Sequence, residues 1–264
     1  MRTQHGAGGN IAMRISSRLA KLVAERKPAL GFWMNLGDPA IAQIAAIQGY
    51  DWVMLDTEHN PLTETQVQAM IYALGQYEVT PVIRVRANRE EHVKWVLDAG
   101  AGGIIIPAVR DAADARLAVS ISKYAPLGRR GFGPNRASGF WSNPNYTAAA
   151  NHEIMLICQI EVASALAEVE EICRIPGIDA IWIGPGDLAQ SLGHLGNPAH
   201  PDVRAATDKI VETANRCHKP WGVPAATVDE YRRWVARGGL LMTLGSDTRI
   251  LAARAGELVA QARA

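Results

Sequence analysis

The stretch IMLICQIE, residues 154–161, is an apolar run that ends in an acid, and IDAIWIGPGD, residues 178–187, is a second run that leads through a Gly-Pro-Gly turn to another acid. Short apolar runs bounded by turn residues are typical of strands buried in a parallel sheet. The strands of such a sheet all end at one edge, so Glu161 and Asp187 are predicted to emerge there together. A carboxylate is costly to desolvate at that edge unless it is paired or binds a cation.

The same alternation of short apolar runs and amphipathic segments continues on both sides of these two strands. The predicted strands are residues 29–34, 52–55, 81–85, 103–106, 154–160, 180–183, 221–223 and 240–243. The predicted helices are residues 38–48, 63–76, 89–99, 111–123, 162–174, 201–217, 227–237 and 247–262, with an extra N-terminal helix near 15–26. Eight strand–helix units in series predict an α/β fold, the TIM (β/α)8 barrel. An open doubly wound sheet is the alternative, but it seldom uses eight units of such even length.

A chain of 264 residues suits one such barrel, which typically takes about 250 residues. Residues 1–14 begin with a polar, Gly-rich segment and are predicted to be a flexible leader, and residues 15–264 are predicted to form a single domain. One segment interrupts the regular pattern. Residues 124–152 are rich in Gly, Pro, Arg and aromatics, and long loops of this kind are usually functional or disordered. The aromatic and charged residues favour order.

Local signals predict several helix boundaries. Asp38 and Pro39 suit a helix cap followed by a first-turn proline. Thr227 and Asp247 are predicted to cap the helices that follow them, and Gly100 is predicted to end a helix.

The composition is that of an ordinary globular protein, with 48% hydrophobic and 20% charged residues. A net charge of +1 gives no electrostatic basis for binding nucleic acid or an anionic membrane. No apolar stretch reaches the roughly 18 residues that can span a bilayer. The three cysteines are an odd number in apolar or helical contexts, which indicates buried thiols and a reducing compartment. A cytoplasmic location is therefore predicted.

The side chains suited to chemistry cluster where predicted strands end, which is where a TIM barrel forms its active site. In chain order, these ends carry residues 56–59, Arg84, Gln159, Glu161 and Asp187. The last two strands end in residues 224–226 and 245–247, which we interpret as chemically quiet.

Two carboxylates at such an edge suit a hard divalent cation, Mg²⁺ or Mn²⁺ first, with Co²⁺ or Zn²⁺ as alternatives. The chain's lysines all lie away from the predicted strand ends: Lys21, Lys27, Lys94, Lys123, Lys209 and Lys219. A Schiff-base aldolase needs a lysine at such an end. A carbanion formed next to a carbonyl would therefore need a metal as its electron sink. The sequence also has no P-loop and no dinucleotide-binding glycine fingerprint after a strand, so no nucleotide cofactor is expected.

Five short motifs stand at these strand ends: GFW at 31–33, LDTEH at 55–59, VIR at 82–84, QIE at 159–161 and IGPGDL at 183–188. Together they resemble the metal-dependent 4-hydroxy-2-oxo-heptanedioate aldolases, the pyruvate-aldolase branch of the HpcH/HpaI family, which is related to 2-keto-3-deoxy-glucarate aldolase. The similarity runs in the same order from about residue 16 to about residue 260, and a GNPxHP string at 196–201 adds to it. Each motif alone is weak, whereas the set is specific.

The resemblance implies that Glu161 and Asp187 bind a divalent metal, which pyruvate would chelate through its carboxylate and keto oxygens. Gln159 would lie beside the metal and the pyruvate. Arg84 would face the keto oxygen, where enolate charge develops. Trp33 is expected at the mouth of the pocket.

The resemblance also implies how protons and the substrate carboxylate are handled. His59, oriented by Asp56, would transfer the proton of the aldol hydroxyl through water, and Glu58 would hold metal-bound water. The backbone of Gly186 and the following Asp would bind the pyruvate carboxylate at a helix N-terminus. Asp98 matches an acid that the family borrows from a neighbouring subunit.

Plainer interpretations remain open for each of these residues. Glu161 and Asp187 also suit helix N-termini as acids that complement the dipole. Arg84 also suits an ion pair with a neighbouring acid at the edge of the core. His59 also fits an exposed loop position, and Asp98 fits a solvated helix end.

Two features depart from the family. The turn has Gly186 where many relatives have alanine, and the long loop carries Phe140 and Trp141, which could reshape the aldehyde pocket. The aldehyde preference therefore does not transfer.

The sequence thus predicts a divalent-metal-dependent class II aldolase that cleaves 4-hydroxy-2-oxo acids to pyruvate and an aldehyde and also catalyses the reverse addition. The alternatives are a citrate-lyase-like acyl-CoA lyase and a catalytically silent barrel that binds a keto acid. A CoA lyase would want a basic surface, and none is evident outside residues 129–136. The resemblance implies a homo-oligomer, trimer or hexamer, with the C-terminal helix in residues 247–264 exchanged between barrels.

Overall fold

Eight parallel strands close on themselves into a barrel in the computed structural model, which describes residues 17–264. The predicted leader, residues 1–14, lies outside the described residues. The strands are β1 (Ala29–Met34), β2 (Trp52–Asp56), β3 (Thr80–Arg84), β4 (Gly103–Ile106), β5 (Met155–Ile160), β6 (Ala180–Ile183), β7 (Trp221–Ala225) and β8 (Leu241–Ser246). Each strand pairs in parallel with the next, and β8 pairs with β1 to close the barrel. The predicted TIM barrel is confirmed.

The helices surround this barrel and alternate with its strands. They are α1 (Arg18–Ala24), α2 (Pro39–Ile47), α3 (Glu64–Leu74), α4 (Glu90–Asp98), α5 (Ala112–Ser122), α6 (Tyr146–Glu153), α7 (Val169–Arg174), α8 (Pro185–Ser191), α9 (Pro201–Arg216), α10 (Val228–Ala236) and α11 (Asp247–Arg263). A 3₁₀ turn at Ala163–Ala167 precedes α7. None of the helices in residues 17–264 is both long and apolar enough to cross a membrane.

Two short helices were absent from the predicted helix ranges, although the family resemblance implied a helix N-terminus near Gly186. The first, α6, lies inside the segment predicted as a long loop, and the second, α8, follows β6 directly. Neither has a side-chain cap at its start, and α8 begins with Pro-Gly, so the local sequence carries no helix-start signal beyond the proline. The predicted helix 162–174 is also divided in the structure, into the 3₁₀ turn and α7.

Most of the predicted helix boundaries are confirmed by their capping contacts. The Asp38 side chain accepts from the backbone N–H of Ala40 at 2.8 Å, and Thr227 caps α10 in the same way. Gly100 follows α4 with φ of 104°, the left-handed conformation that glycine adopts at least cost. The prediction for Asp247 is wrong: Ser246 precedes α11, and Asp247 is the first helical residue, whose carboxylate accepts from the backbone N–H groups of Thr248 and Asn35.

Large side chains fill the inside of the barrel and close its N-terminal end. Trp52 and Trp182 are fully buried and meet edge to face, with their ring centroids 5.6 Å apart. Leu19 of α1 is fully buried in the same cluster, against the beginnings of the strands. Because α1 covers that end, the polar side chains gather at the opposite, carboxyl end of the strands.

Candidate active site

An ion pair between Asp56 and Arg84 joins the ends of β2 and β3, where these two residues are direct neighbours in the strand register. The carboxylate of Asp56 accepts from Nε of Arg84 at 2.9 Å and from Nη2 at 2.7 Å, and both side chains are buried. The guanidinium also lies over the ring of Trp33, 4.8 Å from its centroid. A bidentate pair held against an aromatic face has little rotational freedom, so Arg84 is a fixed positive charge.

Glu58 is a second acid close to Arg84, but the two side chains form no hydrogen bond. Its Oε2 lies 3.1 Å from Nη1 of Arg84, yet that oxygen is buried and has no hydrogen-bond partner. Burial raises the pKa of Glu58 to about 7; the charge of Arg84 opposes this rise, and the charges of Asp56 and Asp187 add to it. A buried carboxylate oxygen without a partner is expensive unless a positively charged group or water meets it.

Glu161 follows β5 and is almost fully buried, with 2% of its surface exposed. Its Oε1 accepts from the backbone N–H of Ala108 at 2.8 Å, and its Oε2 accepts from the amide of Gln159. Burial nevertheless raises its pKa well above the ordinary value, and repulsion from Glu58 and Asp187 adds to the rise. The carboxylates of Glu58, Glu161 and Asp187 thus act on one another across a short distance.

The turn after β6 brings Asp187 towards Glu161. Asp187 stands in the first turn of α8, and its side chain is half exposed. Gly184 is required there, since a Cβ would overlap Oε2 of Glu161 and lie 2.8 Å from Nε2 of Gln159. At Gly186, in contrast, a Cβ would meet nothing within 4 Å. The two glycines of the turn therefore have different roles, and only the first is sterically fixed.

The ring of His59 lies at the rim of this group and is 57% exposed. Its Nε2 is 3.8 Å from Oε2 of Glu58 and 3.9 Å from Oδ2 of Asp187. The sequence interpretation that Asp56 orients this ring is wrong, because Arg84 takes both oxygens of Asp56. Asp56 meets only the backbone N–H of His59, at 3.4 Å.

The donor set of this site fits a divalent cation. Its acids outnumber its one fixed cation, since Glu58, Glu161 and Asp187 stand there in addition to Asp56, the partner of Arg84. Oε1 of Gln159 is buried beside Glu161 without any partner, as is Oε2 of Glu58. Carboxylate and amide oxygens are the ligands that Mg²⁺ and Mn²⁺ prefer. The ligand atoms of Glu58, Glu161 and Asp187 do not all lie within 4.8 Å of one another. Among residues 17–264, three such atoms lie that close in a different group, His194, His200 and Asp202.

A chain of hydrogen bonds that the sequence interpretation missed supports Asp56 from behind. Asn60 Nδ2 donates to Oδ2 of Asp56 at 2.9 Å and to Oδ1 of Asn35 at 3.1 Å. Nδ2 of Asn35 donates to Asp247 at 3.0 Å, and the buried carboxylate of Asp247 also accepts from the backbone N–H groups of Asn35 and Leu36. Residues 245–247, which the sequence indicates to be chemically quiet, thus contribute Asp247 as a structural support of the site. Closure of the barrel places the end of β8 beside the end of β1. Asn35 after β1 and Asp247 after β8 were the sequence signal from which this hydrogen bond could have been predicted.

The backbone of Ala108 is also part of the site. Ala108 has φ of 48°, which is unusual for a residue with a side chain, and this conformation aims its N–H at Glu161. Strained backbone of this kind is concentrated at functional sites. No local sequence pattern predicts it.

Asp98 is not brought to this site within one chain. It is the last residue of α4, and helices of the barrel end at the edge where the strands begin. Its carboxylate pairs there with Arg130 at 2.8 Å and lines a cavity of about 440 Å³ with Trp95 and Arg136. The other predicted residues, Trp33, Asp56, Glu58, His59, Arg84, Gln159, Glu161, Gly186 and Asp187, lie at the carboxyl ends of the strands or in the turns that follow them.

Comparison with known proteins agrees with this architecture. The family model described as "HpcH/HpaI aldolase/citrate lyase" matches residues 29–253. The chain belongs to this family. The family resemblance predicted from the motifs is thus confirmed, and the chain is an enzyme of the carbon–carbon lyase type.

Members of the family with curated names are similar over nearly the whole chain. A 2-dehydro-3,6-dideoxy-6-sulfogluconate aldolase from Pseudomonas putida is 34% identical over 90% of this chain and 94% of its own. A 4-hydroxy-2-oxo-heptane-1,7-dioate aldolase from Klebsiella pneumoniae is 35% identical over 89% of each. A family protein of known structure from Burkholderia cenocepacia superposes with a TM-score of 0.89 at 32% identity, covering 94% of this chain and 100% of its own.

Proposed function

We propose that this chain is a divalent-metal-dependent class II aldolase that cleaves 4-hydroxy-2-oxo acids to pyruvate and an aldehyde and catalyses the reverse addition. The observation that carries the proposal is the set of three mutually repelling, partly buried carboxylates, Glu58, Glu161 and Asp187, beside a fixed guanidinium. Relatives of this chain are named as aldolases of 2-oxo acid substrates, which supports the same reaction class.

Glu161 and Asp187 would hold the metal, with Gln159 beside it and waters completing its coordination. When bound, the cation supplies Lewis-acid stabilisation of negative charge on the substrate's keto oxygen. Arg84 contributes the second positive charge at that oxygen, and Asp56 and Trp33 keep its guanidinium from rotating away. Preorganised charge of this kind is usually the largest single contribution to a rate enhancement.

The chain's own groups also account for binding and proton transfer. The N–H groups of Gly186 and Asp187, in the first turn of α8, have no partner within the helix and suit a substrate carboxylate. Nε2 of His59 takes the proton of the C4 hydroxyl through a water as the C3–C4 bond breaks. The electron pair of that bond becomes the enolate of pyruvate, which is then protonated at C3.

A Schiff-base mechanism is not supported, because the only fully buried lysine among residues 17–264 points the other way. Lys123 lies near the beginnings of the strands, where its ammonium donates to the carbonyl of Ile154 at 2.8 Å and pairs with Asp179 at 2.8 Å. Lys123 therefore cannot form an imine with a substrate bound at the opposite end of the barrel.

The test is a pyruvate-release assay on a panel of 4-hydroxy-2-oxo acids, with EDTA and after adding back Mg²⁺, Mn²⁺, Co²⁺ or Zn²⁺ singly. We expect chelation to abolish release and at least one metal to restore it. Borohydride added during turnover should leave the activity unchanged. Undiminished activity in thoroughly chelated protein, or inactivation by borohydride, would contradict the proposal.

We further propose that the chain works as a homo-oligomer, a trimer or hexamer, in which α11 packs on another copy. The helix is amphipathic, yet Leu251 is 62% exposed and the whole of residues 251–264 is exposed. The neighbouring helix α10 has no buried residue, and α2 leaves Ile44 and Ile47 uncovered. Apolar side chains of α2 and α11 are thus left exposed for another copy to cover. In such an assembly, Asp98 would serve a neighbour's site.

The cytoplasm remains the proposed compartment. The three cysteines, Cys158, Cys173 and Cys217, are all free, which suits reducing surroundings.

A further inference from the structure

Three side chains outside the candidate active site converge at the start of α9. His194 Nε2 lies 2.9 Å from Oδ2 of Asp202, and His200 Nδ1 lies 3.6 Å from the same oxygen. One ligand atom from each residue lies within 4.8 Å of the other two. We propose that His194, His200 and Asp202 form a second metal site, selective for a nitrogen-preferring transition ion such as Zn²⁺ and distinct from the oxygen-ligand site of Glu161 and Asp187.

The distances fit such an ion. A tetrahedral Zn²⁺ has bonds of about 2.0–2.1 Å, which separates its ligand atoms by about 3.3 Å. The separations of Oδ2 of Asp202 from Nε2 of His194 and from Nδ1 of His200, 2.9 and 3.6 Å, lie on either side of that value. Two histidines and one carboxylate leave the fourth position to water. Imidazole nitrogens favour Zn²⁺, Co²⁺ or Ni²⁺, whereas Mg²⁺ and Mn²⁺ favour all-oxygen sets.

The backbone around the two histidines is already fixed, so little conformational entropy remains to be lost. The N–H of His194 donates to the carbonyl of Ala189 at 2.7 Å, and the N–H of His200 donates to the carbonyl of Asn197 at 3.0 Å. Gly193, just before His194, and Gly196, between the two histidines, adopt left-handed conformations with φ of 82° and 77°. A preorganised loop binds more tightly than one that must be ordered by its ligand.

The side chains can complete the coordination with small movements. The two imidazole rings stack with centroids 3.4 Å apart and an interplanar angle of 16°, so they must splay for both lone pairs to reach one ion. Asp202 is 66% exposed at its side chain and is free to follow. On metal binding, the proton shared by His194 and Asp202 would be released. Nδ1 of His200 is unprotonated, because it accepts from the backbone N–H of Asp202 at 3.2 Å, and the metal would take the place of this hydrogen bond.

The start of a helix opposes a cation, but this effect is small. The dipole of α9 acts on a positive charge only within its first turn, and solvent and salt screen it there. The charge of Asp202 further offsets the dipole. The bound ion would lock the connection between α8, which carries Asp187, and α9.

The test measures Zn²⁺ retained per chain by the full-length protein after gel filtration in excess Mg²⁺. The variant H194Q/H200N removes both ring ligands, and asparagine preserves the helix cap at position 200. H152Q, an exposed histidine elsewhere, is the matched control. We expect wild type and H152Q to retain one more Zn²⁺ than H194Q/H200N. Equal Zn²⁺ content in all three proteins overturns the site.

The single variant D202N gives an independent measurement, since an exposed side chain can be neutralised without loss of folding. We expect its affinity for Zn²⁺, titrated with Mg²⁺ present, to fall at least tenfold, while melting in EDTA stays as in wild type. An unchanged Zn²⁺ affinity for D202N would show that the three residues are only a helix cap and a surface ion pair. Neither result depends on which reaction the enzyme catalyses.

Discussion

Burial of Glu161 and Glu58 makes the metal-free protein sensitive to pH. Both carboxyls have pKa values raised from 4.5, that of Glu58 to about 7, so the folded state binds their protons more tightly than the unfolded state does. This contribution to stability is fully present below about pH 4.5 and is lost as the pH rises through about 7. We expect the Tm of chelated protein to fall between about pH 5 and pH 8.

Substitution of one acid should flatten that profile. E161Q removes the buried charge, so its Tm in EDTA at about pH 8 should exceed that of wild type by about 2–4 °C for each kcal/mol relieved in a chain of this size. The control is E168Q, since Glu168 also accepts a backbone N–H at 2.8 Å but lies outside the site. If the Tm of E161Q fell with pH as steeply as that of wild type, burial of Glu161 would not be the cause of the pH dependence.

His59 should matter for one half of the reaction only. Its ring is too exposed to bind substrate strongly, but it can move a proton from the aldol hydroxyl. We expect H59A to slow aldol cleavage by about 10²–10⁴-fold, the usual contribution of a general base. Exchange of the pyruvate methyl protons with D₂O, measured by NMR, should change far less. Equal losses in both measurements contradict this division of roles.

Asn35 is predicted to position the site although it touches no reacting group. It connects Asp247 to Asn60, which in turn donates to Asp56. We expect N35A to lower kcat by up to about 10–100-fold, the range found when direct hydrogen-bond partners of metal ligands are removed, since Asn35 acts one step further out. KM for the oxo acid should change little. N88A, which breaks an asparagine hydrogen bond to the Asp114 carbonyl elsewhere, is the control and should retain its kcat.

At the scale of elements, the first turn of α8 allows a paired test of its two glycines. G184A places a Cβ against Glu161 and should abolish metal-dependent activity. G186A places a Cβ in open space and should stabilise the fold by about 0.5–1 kcal/mol, because glycine in a helix loses more backbone entropy on folding than alanine. Urea unfolding measures the second effect. If G186A were less stable than wild type, the turn would require glycine at position 186 as well as at position 184.

The elements that sequence patterns predicted correctly are those whose apolar period is long enough to recognise. All eight strands and the helices between them follow from such periods. The short helices α6 and α8 did not, because neither begins with a side-chain cap hydrogen bond. The strand ends β7 and β8 extended further than predicted, to Ala225 and Ser246, since pairing with neighbouring strands continues beyond the apolar run.

At the scale of the whole molecule, assembly should depend on the exposed face of α11. L251E/L258E places charges on that face, and we expect the protein to dissociate from an oligomer to monomers in light scattering after gel filtration. Activity should fall with it, since a monomer lacks a neighbour's Asp98. L195E changes another exposed leucine and should leave the assembly intact. A wild-type protein that is already monomeric would refute the proposed exchange of α11.

The sequence by itself determined the barrel and the edge at which its acids gather, because strand and helix periods are local and parallel strands all end on one side. Tertiary structure alone decided the partners within that edge. Asp56 holds Arg84 rather than the ring of His59, and Asp247 reaches Asn35 because closure of the barrel sets its last strand beside its first. A hydrogen bond forms or fails over a few tenths of an ångström, and only the closed register of all eight strands sets distances that finely.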